Sequence, residues 1–313
     1  MRYHTLGKTG YEVSVIGQGC WNLGNQWKTM TDQEAGAIIH AAFDCGINLF
    51  DVADNYGQPN GTSEIRLGKY IKDIRNQIYV VSKIGHWGER SGQSVPYTTP
   101  DMIRLCGHAS LGRLQTDHLD AVLCHDGWIK DPSVFIEGFE ILRKEGFVRE
   151  YGISTDSLEV LKNFYEQSDG HCSLVEVEYS MVEPRAEQNG FLNFCKEKNL
   201  GVLVRGPLAQ GVVRGTYTKD TVFTDLVRRN YNVGGLWRAN FEKYLGNIDR
   251  IKAVYGMENL PELAIRYVIS HETQPTAIPG ATSVEQVKKN ARAGEKLLSE
   301  EDLEKIRKLN GSI

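Results

Sequence analysis

Eight short apolar runs alternate with amphipathic stretches along nearly the whole chain, at 15–20, 48–52, 78–83, 119–125, 150–154, 174–179, 201–205 and 276–279. Between them, apolar residues recur at helical spacing over 31–45, 63–72, 99–114, 132–144, 156–167, 183–198, 260–270 and 283–293, with a last amphipathic helix at 300–309. The runs are mostly apolar, and several have consecutive apolar residues, as in Tyr79-Val-Val81 and Val202-Leu-Val204, rather than strict alternation of apolar and polar. Such strands are buried on both faces, which implies a parallel sheet covered by helices. Eight strand–helix units in 313 residues match the size of a (β/α)8 TIM barrel, typically about 250 residues before insertions. An open doubly wound sheet binding a dinucleotide would need G-x-G-x-x-G after its first strand. The segment Val15-Ile-Gly-Gln-Gly-Cys-Trp21 does not have it.

Local signals agree with the α/β reading. Two short apolar stretches, 3–6 and 13–16, flank Gly7-Lys8-Thr9-Gly10 and predict an N-terminal β-hairpin. Thr31 followed by Glu34 predicts a capping box at the start of the first helix, and Gly46 its end. No Pro/Gly/Ser-rich linker interrupts the pattern, so residues 1–313 read as one domain. Residues 212–252 read as an insertion between the seventh strand and the eighth unit, rich in Tyr217, Phe223, Tyr231, Trp237, Phe241 and Tyr244.

In such a barrel the chemistry sits where the strands end. The second strand ends in Asp51, with Tyr56 five residues on; the third ends in Lys83, the fourth in His125. Each alone has an ordinary structural explanation: a loop cap, a rim aromatic, a solvated charge, a hydrogen-bonded histidine. Together they fall on one face of three consecutive strands, each after an apolar run. A buried Lys83 ammonium needs a counter-ion, which Asp51 can supply. A cation beside Tyr56 stabilises tyrosinate and makes the phenol a better acid. A histidine facing the same space can orient a carbonyl oxygen. The set describes protonation of a carbonyl oxygen during reduction, or the reverse. No side chain supplies hydride, so a redox cofactor is required.

Composition narrows the alternatives. The net charge of −4 argues against a general nucleic-acid binder, which needs a basic face. No apolar run reaches the ~20 residues of a membrane span, and the N-terminus lacks a signal-peptide core. The expected compartment is the cytosol. Six cysteines without any C-x-x-C pair suit neither a zinc site nor a disulfide framework, and His125 is the one histidine at a strand end, too few ligands for a metal-dependent hydrolase.

With these residues in view, the chain resembles the aldo-keto reductase family. The resemblance is carried in order by Asn48-Leu-Phe-Asp-Val-Ala-Asp-Asn-Tyr-Gly57, Ser63-Glu-Ile-Arg-Leu-Gly68, Val81-Ser-Lys83, Leu119-Asp-Ala-Val-Leu-Cys-His125, Gly146-Phe-Val-Arg-Glu-Tyr-Gly-Ile-Ser154, Val177-Glu-Tyr-Ser180, Arg205-Gly-Pro-Leu-Ala-Gln-Gly211 and Ile278-Pro-Gly-Ala281. It implies a (β/α)8 barrel, hydride transfer with an extended nicotinamide cofactor, and Asp51, Tyr56, Lys83 and His125 as a catalytic tetrad with Tyr56 as general acid. It also implies cofactor contacts from Gly19, Cys20, Trp21, Asp51, Ser154, Thr155, Glu176, Arg205, Leu208, Gln210, Gly211, Gly280, Thr282, Gln286 and Asn290. Three positions depart from the family's usual text: Thr155 stands for Asn, Glu176 for Gln, and Arg205 for a stacking aromatic. The run Gly280-Ala-Thr-Ser-Val-Glu-Gln-Val-Lys-Lys-Asn290 resembles an adenosine-binding segment, and Thr282 and Ser283 at a helix N-terminus favour a phosphate. NADP(H) is the favoured cofactor, with NAD(H) open. Trp21, Trp87 and Trp128 are candidate substrate contacts for a small polar aldehyde, ketone or sugar. The rival function is a nucleotide-binding interaction protein of the same fold with little turnover.

Overall fold

The computed structural model describes residues 1–311; Ser312 and Ile313, included in the single-domain reading, lie outside the described residues. A two-stranded antiparallel hairpin, β1 (Tyr3–Thr5) and β2 (Glu12–Ser14), precedes the main sheet. Eight parallel strands follow: β3 (Gln18–Gly19), β4 (Leu49–Asp51), β5 (Tyr79–Ile84), β6 (Leu119–Cys124), β7 (Val148–Ser154), β8 (Leu174–Glu178), β9 (Gly201–Arg205) and β10 (Thr276–Ala277). Each bonds to its neighbours in chain order, and the Ile16–Ala277 and Gly19–Gly280 bridges join the last strand to the first. Closure at that seam depends on a missing side chain. A Cβ on Gly19 would lie 2.6 Å from the Ile278 carbonyl oxygen, so any other residue would hold the two strands apart.

Helices cover the outside: α1 (Asp32–Asp44), α2 (Thr62–Tyr70), α3 (Pro100–Leu114), α4 (Ser133–Lys144), α5 (Leu158–Gln167), α6 (Arg185–Gln188), α7 (Phe191–Glu197), α8 (Arg238–Tyr255), α9 (Leu260–Ile269), α10 (Val284–Ala293) and α11 (Glu300–Leu309). The expected capping box is present: Thr31 accepts from the Glu34 N–H, and Glu34 reaches back to the Thr31 backbone.

Three elements differ from the sequence expectation. The first barrel strand is two residues long, because 15–20 changes partner along its length. Val15 and Gly17 bond to Ala277 of β10, whereas Gln18 and Gly19 pair with β4. The predicted helix at 183–198 is two helices, divided at Gly190, whose φ of +82° is left-handed. A helix cannot run through that conformation. The insertion at 212–252 contains most of an 18-residue helix, α8. Phe241, Tyr244, Leu245, Ile248 and Ile251 form its buried face, at i, i+3, i+4, i+7 and i+10. The aromatics Phe223, Tyr231 and Phe241 pack on one another with ring centroids 5.1–5.9 Å apart; they are core rather than a binding surface.

The two-residue repeat of a strand sorts the barrel interior into layers. Leu49, Val81, Leu123, Leu174 and Leu203 point inward and join Leu6 and Val13 of the hairpin in one apolar plug. The hairpin is therefore the floor. Two residues further along each strand come Asp51, Lys83, His125, Glu176 and Arg205. Every polar residue read at a strand end thus inherits its direction from an apolar residue two positions earlier.

Candidate active site

Above the plug lies an open cleft of about 820 Å³, lined by residues from most of the strand ends and from the long loops. At its base Lys83 is fully buried. Its ammonium bonds to Asp51 Oδ1 and donates to the Val52 carbonyl at 3.2 Å and to the Tyr56 hydroxyl at 3.2 Å. A second carboxylate completes the arrangement: Glu176 Oε2 is 3.0 Å from Lys83 Nζ. Asp51 comes from β4, Lys83 from β5 and Glu176 from β8, across the barrel.

The electrostatics follow from dryness and charge count. Burial alone disfavours the Lys83 cation, but Asp51 and Glu176 outweigh it, so Lys83 holds its proton well above the usual lysine range. Burial raises the Asp51 carboxyl well above its ordinary range and Glu176 raises it further, against the pull of Lys83. Burial also raises the Tyr56 phenol, with Lys83 pulling the other way. Tyr56 is a protonated phenol with a fixed cation at its oxygen. The His125 ring meets the Tyr56 ring edge-on at 5.8 Å. His86, from the loop after β5, lies 4.6 Å from His125 and is held through Nδ1 by Glu89 at 2.6 Å. The four residues read from strand ends therefore converge.

Of the expected cofactor residues, Gly19, Trp21, Asp51, Ser154, Thr155, Glu176, Arg205, Leu208, Gln210, Gly211, Gly280, Thr282, Gln286 and Asn290 line the cleft. Cys20 does not. Its thiol is buried against the Gln18 carbonyl, and its backbone N–H donates to Asp51 O. Trp21 and Trp128 are on the wall, Trp128 at 78% exposure, while Trp87 is off it, under the Arg113 guanidinium at 4.5 Å. The Thr155 hydroxyl is already used, donating to Gly127 O at 2.7 Å. Arg205 bonds to Asp156 and lies 3.7 Å from Glu178, so its plane is fixed by two acids. Sequence reasoning missed Asp156, Asn22 and Arg228 on the wall. Asp156 reads as a residue of a helix start, and Arg228 sits in an aperiodic loop. Only contact shows Arg228 between Trp27, Tyr217 and Phe223.

The far end of the cleft suits an anionic, extended ligand. The loop after β9 turns through left-handed residues at Gln210 and Gly211, and the Gln210 Oε1 is buried without a partner on the cleft wall. Across from it α10 starts with Ser283 as its cap, accepting from the Gln286 N–H. Gln286 also accepts from the Thr282 N–H at 2.8 Å, and Asn290 lies 3.5 Å from Gly280 O. A capped helix N-terminus offers N–H donors and positive potential to a phosphate.

The sequence model of the Aldo/keto reductase family matches residues 15–311. The chain belongs to that family. It is similar to the "NADH-specific methylglyoxal reductase" of Escherichia coli (strain K12), 28% identical and covering 99% of this chain and 98% of the relative. Among solved structures it is similar to the holo form of the aldo-keto reductase AKR11C1 from Bacillus halodurans, with a TM-score of 0.81 at 30% identity over 99% of this chain and 96% of that one. It is also similar to an aldo-keto reductase from Klebsiella pneumoniae in complex with NADPH, with a TM-score of 0.74 at 27% identity over 99% and 96% of the two chains. This aldo-keto reductase is therefore an oxidoreductase by family. Among its described residues no helix is long and apolar enough to cross a membrane, and no cluster of His, Cys, Asp or Glu could hold a metal ion.

Proposed function

We propose that this chain is a single-domain, cytosolic reductase that converts a small polar aldehyde, ketone or sugar carbonyl to the alcohol, with Tyr56 as general acid. The observation that carries the reading is the Tyr56 hydroxyl 3.2 Å from the buried Lys83 ammonium at the base of the cleft. A nicotinamide cofactor lying along the cleft would supply the hydride. Tyr56 gives its proton to the carbonyl oxygen as negative charge develops there. Lys83 stabilises the tyrosinate left behind, and Asp51 keeps Lys83 charged and fixed. His125 orients the carbonyl oxygen towards Tyr56. Trp21, Trp27 and Trp128 exclude water around the carbonyl carbon, and His86 and Arg228 offer polar contacts to the remainder of the substrate.

Arg205, Ser154 and Trp21 are the residues for the nicotinamide end. Leu208, Gln210 and Gly211 are for the pyrophosphate; Thr282, Gln286 and Asn290 are for the adenosine. NADP(H) is favoured over NAD(H), because Lys289 lines the same end of the cleft as the α10 N-terminus. The supporting relatives include one named for NADH and one bound to NADPH, so the KM for each cofactor decides; a clear NADH preference removes the NADP(H) assignment.

The test is oxidation of NADPH and NADH with a panel of carbonyl compounds, wild type against Tyr56→Phe. Loss of the general acid lowers kcat by about 10²–10⁴-fold while cofactor affinity is retained. Unchanged turnover in Tyr56→Phe removes Tyr56 from the chemistry. Tight cofactor binding by the wild type with no turnover on any carbonyl favours a nucleotide-binding interaction protein instead.

A further inference from the structure

The base of the cleft has one more acid than it has cations. Asp51 and Glu176 are 3% and 1% exposed, and Lys83 between them is 0% exposed. Both carboxyls reach the same ammonium, and Glu176 raises the proton affinity of Asp51. The next cation is Arg205, and it is already shared by Asp156 and Glu178. Glu176 Oε2 is close to Lys83 but makes no aligned hydrogen bond. Two anions against one cation in a dry site is the arrangement that two carboxylates relieve by keeping one proton between them.

We propose that Asp51 and Glu176 share a single proton beside Lys83, and that Glu176 is a positioning residue that acts through Lys83 to keep Tyr56 protonated. The inference rests on the Tyr56 reading for its kinetic consequence but not for its first test. The groups facing the pair are Lys83 on β5, Tyr56 after β4, Cys20 after β3 and Arg205 on β9, with His125 against the Tyr56 ring. While the proton is held, the trio is neutral: one ammonium against one net negative charge. When it leaves at high pH, the trio gains a negative charge next to Tyr56. That charge opposes tyrosinate formation, so Tyr56 stays an acid to higher pH. No hydride or substrate atom is touched by Glu176 in this scheme. The proton it shares returns from solvent through the cleft that Glu176 lines.

Infrared difference spectra of the free protein test the shared proton directly. The wild type at pH 7 shows the carbonyl stretch of a protonated carboxylic acid that disappears in both Glu176→Gln and Asp51→Asn. Either substitution leaves one carboxylate with one ammonium and no reason to keep the proton. Asp54, a separate buried acid pushed up to about 8 chiefly by burial, carries its own proton and its own band at pH 7, so every comparison is made in an Asp54→Asn background, where the band of the pair remains. In that Asp54→Asn background, a carboxylic-acid band that persists undiminished in Glu176→Gln and Asp51→Asn overturns the proposal whether or not the enzyme turns over. The kinetic test is the pH profile of kcat for carbonyl reduction. In Glu176→Gln its alkaline limb moves down by about one pH unit or more, the size of shift a nearby charge produces. A profile that superimposes on wild type, with only the KM for cofactor raised, makes Glu176 a cofactor contact and overturns the positioning role. Thermal melts of both variants show that each is folded before it is compared.

Discussion

Two buried acid centres occupy opposite ends of the barrel, and their charge counts are opposite. At the foot of the barrel Asp120, the second residue of β6, is 1% exposed. It is ion-paired with Arg75 at 2.9 Å, and accepts from Arg149 at 3.2 Å and from the Val80 N–H at 2.9 Å. One carboxylate there has two guanidiniums and a backbone donor. At the mouth two carboxylates have one ammonium. The foot is over-supplied with donors, so its charge is satisfied in one state and the centre holds strands together. The mouth is under-supplied, so its charge balance depends on where a proton sits. A buried ion pair of the first kind is architecture; one of the second kind is a device that can exchange protons. The same fold tolerates both because the barrel's foot is plugged by the hairpin while its mouth opens into a cleft.

The sharpest way to break this comparison is Lys83→Met. It strands both mouth carboxyls without a cation, and removing one partner of a buried pair costs about 3–5 kcal/mol. The sign with pH is fixed by Asp51, whose folded-state proton affinity is raised by burial and then by Glu176; Lys83 opposes that rise, so its removal raises the affinity further in the variant than in the wild type. A group raised in this way contributes stability below its unfolded pKa, about 4, and loses it as pH rises through the folded value. The variant's deficit therefore grows from pH 5 to pH 8 in urea unfolding. A deficit independent of pH would mean that the mouth is another fixed ion pair.

Asp120→Asn is the matching change at the foot. It lowers unfolding free energy by about 1–3 kcal/mol, while kcat for carbonyl reduction stays within about twofold of wild type and its pH profile does not move. A shifted profile would show that the foot communicates with the site. The smallest effect is expected for Arg149→Ala. That side chain is 55% exposed and Arg75 remains on Asp120, so the cost is below about 1 kcal/mol. A loss as large as that of Asp120→Asn would show that the foot has no donor to spare.

Much of the mouth was legible before any coordinates. The apolar runs carry strand direction, and a period of two turns Leu49 into a pointer to Asp51, Val81 into one to Lys83 and Leu123 into one to His125. Charge bookkeeping then supplies Asp51 as the partner of Lys83. What it could not supply is Glu176 as a second partner, because β8 is four strands from β4 in the sheet and reaches Lys83 only across the closed interior. Resemblance assigns Glu176 to the cofactor; closure of the barrel brings it to Lys83 as well. Cys20 and Trp87 show the converse. Each is adjacent in sequence to a wall residue, and each points elsewhere, one into the core and one under Arg113.

The sequence by itself determined the alternation of strands and helices, the order of the barrel, the caps such as Thr31 and Glu34, and the four polar residues at strand ends. These are local properties: they depend on periodicity and on neighbours within a few positions. Tertiary structure alone decided how many acids surround Lys83, whether Arg205 is free or held by Asp156 and Glu178, and that the aromatics around α8 pack inward. Those depend on distances between segments far apart in the chain. Barrel closure, with Gly19 meeting Ile278 and Gly280 at the seam, is what turns separate strand ends into one dry, shared site.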